Sequence, residues 1–305
     1  MDLNVRVAVS HPNCGSVGNT RKVRIHPMQP VLALNIPHLS PQRSRYTIAL
    51  IDIVAGIQAI NIWSRLGWRD TKRRYRRTVF GPFWTTASLA LFVLTLGLLW
   101  ANLWGHDPKT YLPYLTAGMV CWTMFLAVCT EGGACLIVQE TLIKQLRISY
   151  TLLACATIWR NVIVFFHNLI IYVFVCIYSG TSPTWATLLF IPGFVLFCAN
   201  AIWIVGVLGA VCTRYRDIQQ LVGSLLQISM FLTPILWTPD QLKGRMALLA
   251  DLNPLYHLMA IVRDPLLGSA PPLMQWVVVL AITVFGWTLL IRIMIKFRHR
   301  IVYWL

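Results

Sequence analysis

Charge is what this sequence has least of. Of 305 residues only 12% are Asp, Glu, Lys or Arg, about half the ~25% that covers a soluble domain. Acidic residues are scarcer still, ten against 26 Lys and Arg. A self-contained soluble enzyme of ordinary kind is excluded, and the 57% apolar content excludes a disordered chain. No GxxxxGK[ST] phosphate loop occurs, so the chain is not expected to hydrolyse ATP by itself. HExxH, H-x-E with paired cysteines and the nucleophile elbow are also missing. The seven histidines lie far apart, and no CxxC pair exists. Seven of the eight cysteines (Cys121, Cys129, Cys135, Cys155, Cys176, Cys198 and Cys212) fall in or beside apolar runs. They read as small packing residues, not as a disulfide frame, metal site or redox pair. No catalytic or metal-binding residues are expected.

What is present is apolar sequence of membrane length. Mean hydropathy is +0.64. A span needs about 20 largely apolar residues to cross about 30 Å of hydrocarbon. Such stretches lie at about 83–105, 112–139, 160–178, 184–212, 218–237 and 273–292. From Asn161 to Thr213 no charge occurs, and Ser179-Gly180-Thr181-Ser182-Pro183 marks the turn between two helices. The expected fold is an all-α integral membrane bundle of six transmembrane helices. Tyr46 to Trp63 is also span-like but carries Asp52, Gln58 and Asn61, and a central Asp costs about 2.5–3.5 kcal/mol. Ile53, Ile57, Ile60 and Trp63 mark one apolar face, which predicts an amphipathic helix lying in the interface. Thr238 to Pro272 is too apolar for a free loop. Leu255, Leu258, Met259, Val262 and Leu266 recur at helical spacing, so a re-entrant helical hairpin is expected before the last span.

Basic residues crowd the tail, the segment up to Arg77, and the Lys144–Arg160, Arg214–Arg216 and Arg292–Arg300 regions. Only Lys109, Lys243, Arg245 and Arg263 fall on the other side of a six-span thread. The positive-inside rule then puts both termini in the cytoplasm. The net charge of +16 points to anionic lipid, not to nucleic acid. Residues 1–42 hold no signal-like run and read as a flexible cytoplasmic tail, with 43–305 as the membrane domain.

Candidate functional residues form four sets. Trp63, Leu66, Gly67 and Trp68 precede the cationic run Arg69, Arg73, Arg74, Arg76 and Arg77. Tryptophans at headgroup level and arginines among phosphates would hold a helix flat, and arginine suits bidentate phosphate recognition. Glu140, Lys144 and Arg147, with Gln145 beside them, share one polar face of a short helix. Glu131 is an ionisable group within a span and needs a partner; His167 or Asn168 at similar depth is expected to supply it, with Arg160 as a second candidate. Trp100, Trp104, Tyr111, Tyr114 and Trp122, with Phe231 and Trp237, cluster near one end, either as an interfacial belt or as a sugar-stacking conduit.

Local sequences then carry a resemblance. Arg74-Tyr75-Arg76-Arg77-Thr78-Val79-Phe80-Gly81-Pro82-Phe83-Trp84 resembles the approach to the first span of bacterial ABC-type polysaccharide export permeases, the type-2 ABC exporter family. Tyr111-Leu112-Pro113-Tyr114, Leu142-Ile143-Lys144-Gln145, Arg160-Asn161, Arg214-Tyr215-Arg216-Asp217-Ile218, Leu232-Thr233-Pro234-Ile235-Leu236-Trp237 and Asn253-Pro254-Leu255-Tyr256-His257 continue it in order. The resemblance covers about residues 50–305; the first 40 or so have no counterpart. It implies a homodimer in the bacterial inner membrane that binds two copies of a nucleotide-binding ATPase subunit, with ATP and Mg on that partner and no cofactor in this chain. Lipid-linked glycan such as O-antigen, capsule or teichoic acid is the implied cargo. Glu140, Lys144, Gln145, Arg147 and Asp217 become the implied ATPase-coupling residues. Two other readings remain: a polyprenyl-phosphate sugar transferase, with Asp240, Asp251 and Asp264 as its main acidic candidates, or an exporter of small lipophilic molecules.

Overall fold

In the computed structural model, residues 44–76, 81, 83–146, 148–239 and 251–305 are described. They form ten α-helices: α1 (Arg45–Gln58), α2 (Ile60–Tyr75), α3 (Phe83–Trp104), α4 (Pro108–Val138), α5 (Glu140–Gln145), α6 (Tyr150–Ser179), α7 (Phe190–Arg214), α8 (Asp217–Leu232), α9 (Pro254–Leu266) and α10 (Leu273–Trp304). A short 3-10 turn, Trp185–Leu189, leads into α7. Five helices (α3, α4, α6, α7 with its leading turn, and α10) are long and apolar enough to cross a membrane. The expected all-α membrane architecture is therefore present. The expected tail, 1–42, lies outside the described residues.

Local chemistry sets the ends of these helices. Asp107 caps α4 by accepting from the Lys109 backbone N–H at 3.0 Å, with Pro108 at the first helical position. Ser149 caps α6 by accepting from Leu152 N–H at 3.3 Å. The same helix stops at Gly180, whose φ of 74° only glycine adopts cheaply. Asn253 caps α9 ahead of Pro254.

The core is α4 against α6 and α7. Leu115, Trp122, Leu152, Phe165, Met259 and Leu290 are almost fully enclosed there. Leu91 and Leu103 on α3, Phe174 and Ile177 on α6, and Val284 and Phe285 on α10 are more than two-thirds exposed. Such continuous apolar exposure suits lipid and not water.

Four features differ from the sequence expectation. The single helix predicted over 46–63 is two helices, α1 and α2, bent by 66°. Ala59 leaves helical geometry at ψ 45°, and the Trp63 indole N–H donates to Ile57 O at 3.1 Å, taking up a carbonyl freed by the bend. The cations predicted to follow the amphipathic helix instead continue it: Arg69, Arg73 and Arg74 lie on α2 itself. The third span begins ten residues earlier than 160, at Tyr150, because Ser149 supplies the cap. The fifth expected span, 218–237, is a 16-residue helix followed by non-helical Thr233–Trp237. Sixteen residues reach only about 24 Å. The segment nevertheless runs the length of α4: Gln219 lies near Gly133, Ile235 against Gly118, and the Tyr111 hydroxyl donates to Leu236 O at 2.6 Å. The first half of the expected re-entrant hairpin, 240–250, lies outside the described residues. Its second half is α9, where His257 to Arg263 are buried.

One end of the bundle, the basic end, gathers α2, α5, the start of α8 and the end of α10.

Candidate functional site

Two features stand at the basic end. The first is a cleft of about 470 Å³ between α2, α4 and α6, walled by Leu66, Ala134, Cys135 and Ala156 and carrying Asp70, Arg73, Arg74, Glu131, Gln139 and Arg160. Helix α2 reaches this position because Gly67 lets its backbone lie on α6. A Cβ there would meet Ala156 O at 2.7 Å. Trp63 adds an edge-to-face contact with Trp159, centroids 5.7 Å apart.

Glu131 is the centre of the cleft, and its partners correct the expectation. Arg160 reaches one carboxylate oxygen with Nε and Nη2 at 3.2 and 2.6 Å, and Arg74 of α2 bonds the other oxygen. His167 does not reach it: that ring contacts Ile163 O, one turn back, at 2.7 Å, and sits edge-on to Phe83. Asn168 pairs instead with Thr86 of α3, at 3.1 Å. Both lie too far along α6, two turns beyond Arg160. The signal was in the sequence: an intramembrane carboxylate takes the nearest cation, and Arg160 precedes His167.

The two arginines differ in worth. The Arg160 and Glu131 side chains are each 20% exposed, whereas Arg74 is 56% exposed. Replacing Arg160 by glutamine leaves Glu131 largely enclosed without its more deeply buried charge, a loss of about 2 kcal/mol. Arg74→Gln removes a solvated pair worth less than about 1 kcal/mol. Thermal unfolding of the two detergent-solubilised variants checks this, and equal losses would contradict it. Arg74 reaches Glu131 through Nη1 alone, and its half-exposed guanidinium lines the cleft, where an anion with paired oxygens could meet it.

The second feature is helix α5. Lys144 bonds Glu140 at 2.6 Å one turn apart, and this hydrogen bond holds the Glu140 carboxyl below its usual range. Ile143 is buried and anchors the helix, leaving Lys144 and Gln145 exposed. The charge of Arg216 also acts on Glu140, so α5 and the exposed α7–α8 turn with Asp217 share one surface. Arg147 and Arg77 lie outside the described residues. Arg76 closes α2, and Arg69 and Arg73 are exposed on it.

The aromatic set divides. Tyr111 and Trp122 are 3% and 2% exposed and cannot face a passage. Tyr111 and Tyr114 use their hydroxyls on the carbonyls of the broken segment after α8, at Leu236, Pro234 and Trp237. They hold the fold. Phe231 is 62% exposed, and the Trp237 indole caps its carbonyl at 3.0 Å. Trp100 is half-buried on α3, and the Trp104 side chain lies outside the described atoms. Of the acidic alternatives, Asp264 is tied to Arg263 at 2.9 Å and Asp240 lies outside the described residues. Asp251 is used through its carbonyl, which sits 2.7 Å from His257 Nε2.

Two features escaped sequence reasoning. Only Leu226 is buried on α8; its exposed positions fall into a polar stripe, Gln220, Ser224 and Gln227, beside an apolar stripe, Leu221, Leu225, Ile228 and Leu232. The spacing was legible, but the segment's overall hydropathy masked it. Asp52 is buried among α1, α6 and α10, paired with Arg298 at 2.8 Å. Its cost in a span was weighed, but its partner 246 residues away was not visible.

The sequence matches known proteins. The profile of the ABC-2 type transporter family matches residues 63–267. The chain is 26% identical to the O-antigen export system permease protein RfbA of Myxococcus xanthus over 212 residues, covering 68% of this chain and 82% of that protein. A Klebsiella pneumoniae protein of the same name is 22% identical over 200 residues, covering 64% and 76%. With the matched segment running from the foot of α2 to the end of α9, this multi-pass membrane protein belongs to the ABC-2 type transporter family.

Proposed function

We propose that the chain is the permease half of an ATP-driven exporter that moves lipid-linked polysaccharide across the bacterial inner membrane. One observation carries the reading. Helix α8, lying along the membrane-length helix α4, presents Gln220, Ser224 and Gln227 outward in a line, although amides and hydroxyls facing lipid are costly. A second copy packed on the apolar stripe beside them would leave the two polar lines facing each other across a conduit. Amides and hydroxyls bind sugar hydroxyls weakly and repetitively, which suits a sliding polymer. The relatives' names supply the substrate class.

The rest follows from position. The basic end is cytoplasmic by the positive-inside rule, with both termini there. Two ATPase subunits, carrying ATP and Mg, dock on α5 and the α7–α8 turn through Lys144, Gln145 and Asp217. Arg74 and the neighbouring Arg73, which line the cleft beside α2, take the anionic lipid head there.

In a strain lacking the chromosomal gene, the double substitution Gln220→Leu and Gln227→Leu is expected to lower surface glycan several-fold at normal membrane abundance. The same variant is expected to copurify the ATPase subunit normally, whereas Lys144→Glu is expected to lose it. Full surface glycan from the double variant would remove α8 as the conduit wall. Absence of any copurifying ATPase with the wild-type chain would remove the exporter itself.

A further inference from the structure

A second cleft opens at the basic end, on the far side of the bundle's chemistry, where α7 and α10 finish. It encloses about 410 Å³. Three cations look into it: Arg214, the last residue of α7, and Lys296 and Arg300, one turn apart on α10. No acidic side chain lines it, and none of the three forms an ion pair among the described residues. Arg298, between the α10 pair in sequence, turns away to Asp52. The floor is apolar, made by Ala210, Val211 and Ile293, and the mouth carries rings. The Arg214 guanidinium carbon stands 5.2 Å from the Tyr215 ring centre and 5.0 Å from that of Trp304. Lys296 Nζ is 5.2 Å from the Phe297 ring.

We propose that this cleft binds an anionic diacyl phospholipid, its phosphate on the three cations and an acyl chain on the apolar floor. Three like charges converging on one hollow repel one another, and no acidic side chain among the described residues pairs with them. A phosphodiester does. Cation–ring contacts hold the cations at the mouth, and aromatic rings with basic side chains are the usual furniture of the headgroup layer. The floor separates a lipid from a soluble anion. Ala210 and Val211 belong to the uncharged stretch that ends at Thr213, so the floor lies about one turn inward of Arg214, on the apolar side of the hollow. Inorganic phosphate or an acidic peptide would use the cations and leave that surface bare. The bound lipid would join α7 to α10 at their ends, independently of any cargo in the cleft beside α2.

The test is native mass spectrometry of the whole transporter purified from its own membrane, titrated with phosphatidylglycerol and with phosphatidylcholine. Retention of phosphatidylglycerol over phosphatidylcholine is expected. The triple variant Arg214→Gln, Lys296→Gln, Arg300→Gln is expected to weaken it about a hundredfold, and Arg300→Gln alone, which leaves folding secure, about fivefold. Arg292→Gln, elsewhere on α10, is expected to leave it unchanged. Equal retention of both lipids, or undiminished retention by the triple variant, overturns the proposal. So does displacement of phosphatidylglycerol by inorganic phosphate or pyrophosphate at matched concentration, which would mark a simple anion site. Loss of a copurifying subunit with lipid retention intact would make the cleft a protein-docking surface instead.

Discussion

Replacing Arg263 by methionine is expected to cost the protein about 3–5 kcal/mol of stability, the range for leaving a buried charge uncompensated. Arg263 is 3% exposed, and its head joins three elements. Nη1 donates to Pro234 O at 2.6 Å and to the Tyr114 hydroxyl at 2.9 Å, and Nε donates to Asp264 at 3.0 Å. The guanidinium also lies over the Tyr114 ring, 4.6 Å from its centre. Methionine keeps the packing of the stem. It strands the Asp264 carboxylate, which is 15% exposed, and removes a donor from a carbonyl that helix α8 no longer serves. Lysine restores charge but not the fork, and only part of the loss should return. Thermal unfolding of the solubilised protein reads both. A loss for Arg263→Met below about 1 kcal/mol would mean that α9 is held by apolar packing alone.

Asp52→Ala is the second large effect, about 2–4 kcal/mol. The Asp52 side chain is 1% exposed. One oxygen accepts from Arg298 Nε at 2.9 Å; the other is 3.0 Å from the Ser149 hydroxyl and 3.4 Å from that of Thr151. Alanine leaves the Thr151 hydroxyl and the Arg298 guanidinium unmatched where α1, α6 and α10 meet, while Ser149 keeps only its bond to the residue-52 backbone carbonyl at 2.8 Å. Gly56 shows how close that meeting is, since a Cβ there would stand 2.8 Å from Leu152 N. Asp52→Asn keeps an acceptor for Ser149 and should lose roughly half as much. Limited proteolysis should find new cleavage within α1 and α2 while α4 and α6 stay protected. An unchanged cleavage pattern with unchanged melting would show that Asp52 does not hold α1.

Both residues mark what a single sequence hides. Apolar length alone located α3, α4, α6, α7 and α10, because lipid sets the number of residues that a span needs. The α9 helix was legible from the spacing of Leu255, Leu258, Met259, Val262 and Leu266, and the Glu140–Lys144 pair from one helical turn. The bend at Ala59 was not, because alanine favours helix and the break depends on the Trp63 side chain reaching back. The pairs Asp52–Arg298 and Glu131–Arg74 join residues 246 and 57 positions apart; local pattern carries no information on such matches. The aromatics misled for a related reason. Tyr111 and Trp122 have the composition of an interfacial belt, and only tertiary packing shows that both are buried and that the Tyr111 hydroxyl serves the Leu236 carbonyl.

The unwound stretch Thr233–Trp237 has a mechanical consequence. Its carbonyls at 234, 236 and 237 take their hydrogen bonds from tyrosines of α4 and from Arg263, so that tip is clamped to the frame. Along the shaft, only Leu226 is enclosed and Gly223 has nothing near its Cβ position. Helix α8 is thus clamped at this tip, tied to α7 at its start by the two-residue turn Tyr215–Arg216, and lightly held along the shaft between. A torque applied at Asp217 would swing Gln220 furthest and Phe231 least, so any aperture it borders would widen first on the side from which the force arrives.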